Sequence, residues 1–303
     1  MNTGKTTCSE TFPTGSAGIN RGVIIMIASV LCFTANTLLL KYLGSVRVVS
    51  PSVAMLFRAV VGSLIVLTFF RGKGTLEISQ IFRDRRLIAR GVMGVLGTSA
   101  YYVTVPAMGA GKASILCNTY VLFAVLIASF AIGETLRKRQ IFWISVAFVG
   151  ITLLVGNGEA QAKQTLFPGF NEFIAIGGAL CAATTVVLIR SLTRRFSNGT
   201  IFMTQCLWVG ISVLPFAIPA LKEINGYDAF FLVCAGVMAG CGQMLLNEGF
   251  RRLTVALGSS IQMAWPLLTA VGGFFLFGET FTVLQLVGSA LILGGIFQVR
   301  KTK

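Results

Sequence analysis

Long apolar runs separated by short polar connections organise this chain. A helix needs about twenty apolar residues to cross a bilayer, and ten runs approach that length: 22–42, 52–70, 91–108, 113–133, 141–156, 171–189, 200–220, 229–247, 255–277 and 282–299. The pattern predicts an all-α membrane protein of ten transmembrane helices, with no stretch left for a soluble domain. The longest connection, 71–90, carries TLEISQIFRDRRLIAR. It reads either as an amphipathic segment on the membrane surface or as a basic linker. Residues 1–20 are polar and lack an apolar core, so a cytosolic tail is expected and a secretory signal is not.

Composition agrees. Charged residues make up 12% of the chain and hydrophobic ones 55%, with mean hydropathy +0.82, whereas globular domains carry about 25% charged residues. The net charge of +15 does not point to nucleic acid, because the cations form small clusters between apolar runs, with no basic face on a polar domain. The seven cysteines show no CxxC spacing, so no metal site or disulfide framework is expected.

Those cations fix an orientation, since cytosolic loops are rich in Lys and Arg. With the N-terminus inside, nineteen Lys and Arg fall on the inner side and five (Lys41, Arg47, Lys112, Lys163 and Lys222) on the outer; Arg58 lies within a span. Both termini are therefore expected in the cytosol of a cell bounded by its inner membrane.

The fourth and ninth runs end in the same Gly-Glu-Thr, at 133–135 and 278–280, and only the first is followed by a basic run. Sliding the sequence by the 145 residues that separate Gly133 from Gly278 also superposes Ser114 on Ser259, Leu122 on Leu267, Phe130 on Phe275, Gly150 on Gly295 and Tyr120 on Trp265. Five spans per half is an odd number, so the second half enters the membrane upside down, and the shared junction is basic only where it faces the cytosol. The expectation is two inverted five-helix repeats, a plan used by secondary transporters that bind solute between the repeats. The organisation expected is a tail at 1–20, a first repeat at 21–156, an external linker at 157–170 and a second repeat at 171–300.

Three features together resemble the EamA branch of the drug/metabolite transporter superfamily over roughly residues 21–300. These are MLFRAVVG at 55–62, the small-residue, apolar-helix, Gly-Glu pattern, and ALGSSIQMAWPLLTAVGGFFLFGET at 256–280. In the first half Val121 replaces the proline usual in the repeat. The resemblance implies a carrier of small organic metabolites working by alternating access, an amino-acid or metabolite exporter foremost. TLLLKYLG and FRAVVG are also similar to uptake carriers for riboflavin or S-adenosylmethionine. No cofactor, metal or nucleic acid is implied, and one polypeptide, a monomer, supplies both repeats.

The family's cavity is lined mainly by helices 1, 3, 4, 6, 8 and 9. Carried onto this sequence, the polar and aromatic candidates there are Asn36, Tyr101, Tyr102, Asn118, Tyr120, Thr184, Gln243, Asn247, Gln262 and Trp265. Amides and aromatics suit a small amphipathic solute, although the same residue types also bind helices together. Pro266 frees the carbonyl four residues earlier and is expected to kink its helix. Arg58, a charge inside a span, either attracts an anionic group or has a structural role. Glycine faces at Gly91, Gly94 and Gly97, and at Gly236, Gly240 and Gly242, predict close helix contacts.

The chain has no His, and its carboxylates sit in loops or at helix ends. Facilitated diffusion or exchange is therefore expected rather than coupling through a buried proton carrier. Residues that an intramembrane enzyme would need, such as paired Asp or Ser with His, are missing from the spans, and no channel filter repeats are present. A non-transporting receptor or structural protein is the rival of another class.

Overall fold

Local signals set where helices begin. Asp84 accepts hydrogen bonds from the N–H groups of Arg86 and Leu87, Ser197 from that of Thr200, and Asn225 from that of Asp228. Each satisfies amides that a helix N-terminus leaves unpaired. Pro51 opens the second helix, where a missing N–H costs nothing.

A computed structural model describes residues 16–70, 76–132, 138–155, 169–192, 195–253, 261–262 and 264–301. Among them there is no strand. The helices are α1 Ser16–Lys41, running into a π-turn at Tyr42–Val46, α2 Pro51–Phe70, α3 Arg85–Met108, α4 Ala110–Asn118, α5 Tyr120–Ile132 and α6 Lys138–Val155. The rest are α7 Phe170–Leu192, α8 Asn198–Leu221, α9 Gly226–Arg252, α10 Ala264–Phe277 and α11 Val283–Lys301.

Several expectations change in detail. Five described segments are long and apolar enough to cross a membrane on their own: Asn20–Val46, Pro51–Phe70, Phe170–Ile189, Asn198–Leu221 and Gly226–Gly249. Shorter apolar helices run over Ile141–Leu153, Ala264–Phe277 and Val283–Gln298. The fourth expected span is two helices, broken at Thr119 although the proline is missing. The Thr119 hydroxyl donates to Leu116 O at 2.6 Å and its N–H reaches the same carbonyl at 3.1 Å, a local bond that competes with the helical ladder. In the 71–90 connection the described part is a single 3-10 turn, Ile78–Phe82, which buries Ile81. Helix α3 then starts at Arg85 and takes Arg90 into its buried face, away from the inner loop expected to hold it. The tail at 1–15, the first Gly-Glu-Thr with Arg137, most of the linker, and Ser259 lie outside the described residues.

The 145-residue period recurs in the elements and their contacts. Shifted by it, α5 becomes 265–277 and α6 becomes 283–300, matching α10 and α11. Helix α1 packs on α9 and α3 on α7; α2 packs on α9 and α3 on α8; α1 packs on α10 and α5 on α7. Within each pair, exchanging the halves turns one contact into the other. The glycines show it at atomic scale. A Cβ on Gly150 would lie 2.7 Å from Gly288 O and 2.9 Å from Ile292 N, and one on Gly295 would lie 2.9 Å from Trp143 O and 3.2 Å from Ala147 N. Trp143 and Ala147 are the residues 145 before Gly288 and Ile292. Backbone therefore meets backbone where α6 crosses α11, the close approach that small residues allow between helices in lipid. The predicted glycine faces of α3 and α9 also pack closely: Gly97 meets Gly178 O, and Gly240 meets Ile65.

Large apolar side chains point outward. Phe275, Phe173, Val283 and Phe216 are each more than 70% exposed, an arrangement suited to lipid contact.

Candidate functional site

A polar knot lies where α1, α3 and α10 meet. Thr37 donates its single hydroxyl hydrogen to Phe33 O at 2.8 Å. Its lone pairs are then free to accept from the Tyr101 hydroxyl and from Trp265 Nε1 at 3.3 Å. The Tyr101 and Trp265 rings stand 5.7 Å apart, with Phe33 6.0 Å from Trp265 on its other contact. About two helical turns towards the start of α1, Gln262 Nε2 donates to Ser29 Oγ at 3.3 Å, and Ser29 donates to Gly242 O of α9 at 2.8 Å. The structure thus joins the predicted residues Tyr101, Gln262 and Trp265 to α1. It adds Ser29, Phe33 and Thr37, whose only sequence signal is that they recur every four residues, along one face of α1.

Asn36 and Asn118 are each about 1% exposed, yet among the described residues Asn36 Oδ1 and Asn118 Nδ2 have no hydrogen-bond partner. A buried polar atom left unpaired costs about 1–3 kcal/mol, so these two amides are held in a state that a ligand's polar groups would relieve.

Other predicted residues fall elsewhere. Tyr102 is buried in the core formed with α1, α2, α8 and α9, and its ring centroid lies 5.8 Å from the half-buried Arg58 guanidinium. Among the described residues no carboxylate pairs with Arg58. Tyr120 opens α5 against the core of α4, α6, α7 and α11. Thr184 bonds back to Leu180 O within α7 at 3.1 Å. Gln243 and Asn247 bond to each other along α9 at 3.4 Å, outside the α1–α3–α10 knot. Pro266 is buried, two residues past the first described residue of α10. Met263, through which a bend would pass, lies outside the described residues.

Sequence reasoning missed the charge ties above the knot. Gly109, at φ +95°, separates α3 from α4 by one residue. The Glu279 carboxylate then accepts from the N–H of Ala110 at 2.7 Å and of Gly111 at 3.1 Å, where the helix dipole favours negative charge. Lys41 Nζ is 3.8 Å from Glu279 and donates to Pro106 O at 3.0 Å. Lys112 meets Glu172 of α7 at 2.7 Å, both nearly buried. Arg47 holds Asp228 through Nε at 2.7 Å and Nη2 at 3.3 Å, and these bonds raise its pKa above the usual guanidinium value. Each pair links one half of the chain to the other. The remaining described pair, Arg252 with Glu248, lies within α9.

These helices and exposed apolar faces define a multi-pass, all-helical membrane protein. The sequence model of the EamA-like transporter family matches residues 20–156 and again 170–300, and the chain belongs to that family. It is 23% identical over 292 residues to the pseudopaline exporter CntI of Pseudomonas aeruginosa, covering 94% of this chain and 98% of that one. It is 21% identical over 279 residues to an S-adenosylmethionine uptake transporter of Rickettsia felis, covering 90% of each. A solved crystal structure superposes with a TM-score of 0.63 at 19% identity, covering 92% of this chain and 95% of that one; it shares the fold.

Proposed function

We propose that this chain is a secondary transporter that exports a small organic metabolite, of amino-acid type, across the cytoplasmic membrane by alternating access. The solute lies beside Tyr101 and Trp265, its polar groups bonded to Asn36 and Asn118. The unpaired, buried atoms of those two amides are the observation that carries this reading. The aromatic pair offers a face for an apolar part of the solute. Tyr120, Thr184, Gln243 and Asn247 join the site in another state of the cycle or line the route.

Exchange-related contacts, together with five spans per half, support a second repeat inverted relative to the first, with both termini in the cytosol. In that orientation the three ion pairs between halves lie outside, so this conformation is closed to the exterior. The exporter named above supports outward transport. The Rickettsia relative favours uptake as the second reading, with S-adenosylmethionine as its solute.

The test is transport in proteoliposomes with a panel of amino acids, amino-acid-derived metabolites, riboflavin and S-adenosylmethionine. Movement of one class, abolished by Asn36→Ala with Asn118→Ala, supports the site. Wild-type rates in that double variant would remove it.

A further inference from the structure

A second polar cluster lies between α3 and α8, apart from the α1–α3–α10 knot. Arg90 is 2% exposed, and its Nη2 donates to Gln205 Oε1 at 2.9 Å, while Gln205 Nε2 donates to Thr98 Oγ1 at 3.1 Å. Arg90 Nε, Arg90 Nη1 and Trp208 Nε1 are all buried without an acceptor among the described residues. Three N–H-bearing nitrogens and one full positive charge are thus collected with no carboxylate among the described residues to answer them.

Two glycines make the room. A Cβ on Gly94 would stand 2.6 Å from Arg90 Nη1, and one on Gly91 would stand 2.8 Å from Trp208 Nε1. Gly91 and Gly94 are three apart and share one helix face, so both nitrogens lie over the same smooth strip. Helical side chains lean towards their own N-terminus, and a membrane arginine ordinarily extends to the nearest polar surface. The start of α3, where Arg83, Arg85 and Arg86 are exposed, offers such a surface. Arg90 instead folds over Gly94, away from that end.

The 3-10 turn beside the cluster carries exposed Ile78 and Phe82, and the Phe82 ring lies 6.0 Å from Trp208. Exposed aromatic and aliphatic groups next to exposed arginines form the surface that associates with anionic lipid.

We propose that Arg90 and Trp208 form a binding site for an oxyanion, a phosphate or carboxylate, reached from the face that carries Arg83, Arg85 and Arg86. The group comes from the headgroup of an acidic phospholipid or from a free solute. Binding neutralises Arg90 and supplies acceptors to all three nitrogens, as charge-assisted bonds to guanidinium groups do. The site does not depend on the transport reading, because occupancy is measured without transport.

The test is thermal unfolding of the purified full chain in neutral detergent, with phosphatidylglycerol, inorganic phosphate or benzoate added in turn. A ligand at a hundredfold excess over its Kd raises the wild-type melting temperature by about 5 °C. A rise with phosphatidylglycerol alone assigns the site to lipid, and a rise with phosphate or benzoate assigns it to a free solute. Arg90→Gln abolishes the rise, and Trp208→Phe reduces it. Should Arg90→Gln fail to fold, Gly94→Ala displaces the guanidinium and serves in its place. No rise with any of the three, or an equal rise in the Arg90 or Gly94 variant, overturns the proposal.

Discussion

Replacing Glu279 by Gln tests whether the ion pairs between the two halves hold the proposed closed state. The wild-type carboxylate accepts two backbone N–H groups at 2.7 and 3.1 Å and stands 3.8 Å from Lys41. The amide keeps the shape and one acceptor oxygen but removes the charge. Each hydrogen bond to a charged group contributes about 1.5–3 kcal/mol, and a favourable helix N-terminal charge up to about 2 kcal/mol. These overlap, so the loss is about 2–3 kcal/mol. If the bonds form only in the closed state, the outward-open population rises about 30- to 150-fold, since 1.4 kcal/mol is a factor of ten. Spin labels at Val48 and Val283, which are 82% and 76% exposed in opposite halves, report the change as a longer distance by pulsed electron resonance. Gly109→Ala should act the same way, because its Cβ would meet the Glu279 carboxyl carbon at 2.9 Å from a backbone at φ +95°. An unchanged distance distribution in both folded variants would refute the reasoning.

Lys112→Met leaves Glu172 charged and nearly buried, so it should destabilise by about 3 kcal/mol, with much of that recovered in Lys112→Met with Glu172→Leu; melting temperatures of the single and double variants decide this. Asn118→Ala should raise KM for the transported solute about 5- to 20-fold while leaving folded yield unchanged or higher, because it deletes an unpaired polar group; transport kinetics beside size-exclusion yield check both halves. Gly150→Leu places side-chain atoms where Gly288 O and Ile292 N already lie, and folded yield in membranes should fall severely. Gly240→Leu meets the movable end of a side chain, Ile65 Cδ1, 2.7 Å from its Cβ, so it should slow transport more than it lowers folded yield, and loss of folded protein instead would defeat that expectation.

Hydrophobic period and length located most helices because lipid leaves the backbone little choice other than to bond internally. The 145-residue offset read from the repeated Gly-Glu-Thr also relates α5 to α10 and α6 to α11, and the family's candidate list included Tyr101, Gln262 and Trp265 because amides and aromatics in apolar runs are conspicuous. What those residues touch was not legible. Thr37 gathers Tyr101 and Trp265 from 64 and 228 residues away, a meeting that depends on how α3 and α10 pack on α1. Composition counted Lys112 as a loop cation and Arg90 as another. Only packing shows that one is nearly buried against Glu172 and the other folds over Gly94 with two nitrogens unanswered among the described residues. Periodicity reports which residues avoid water along one helix. The cost of burying a charge, and whether it is met, depends on neighbours that other helices bring.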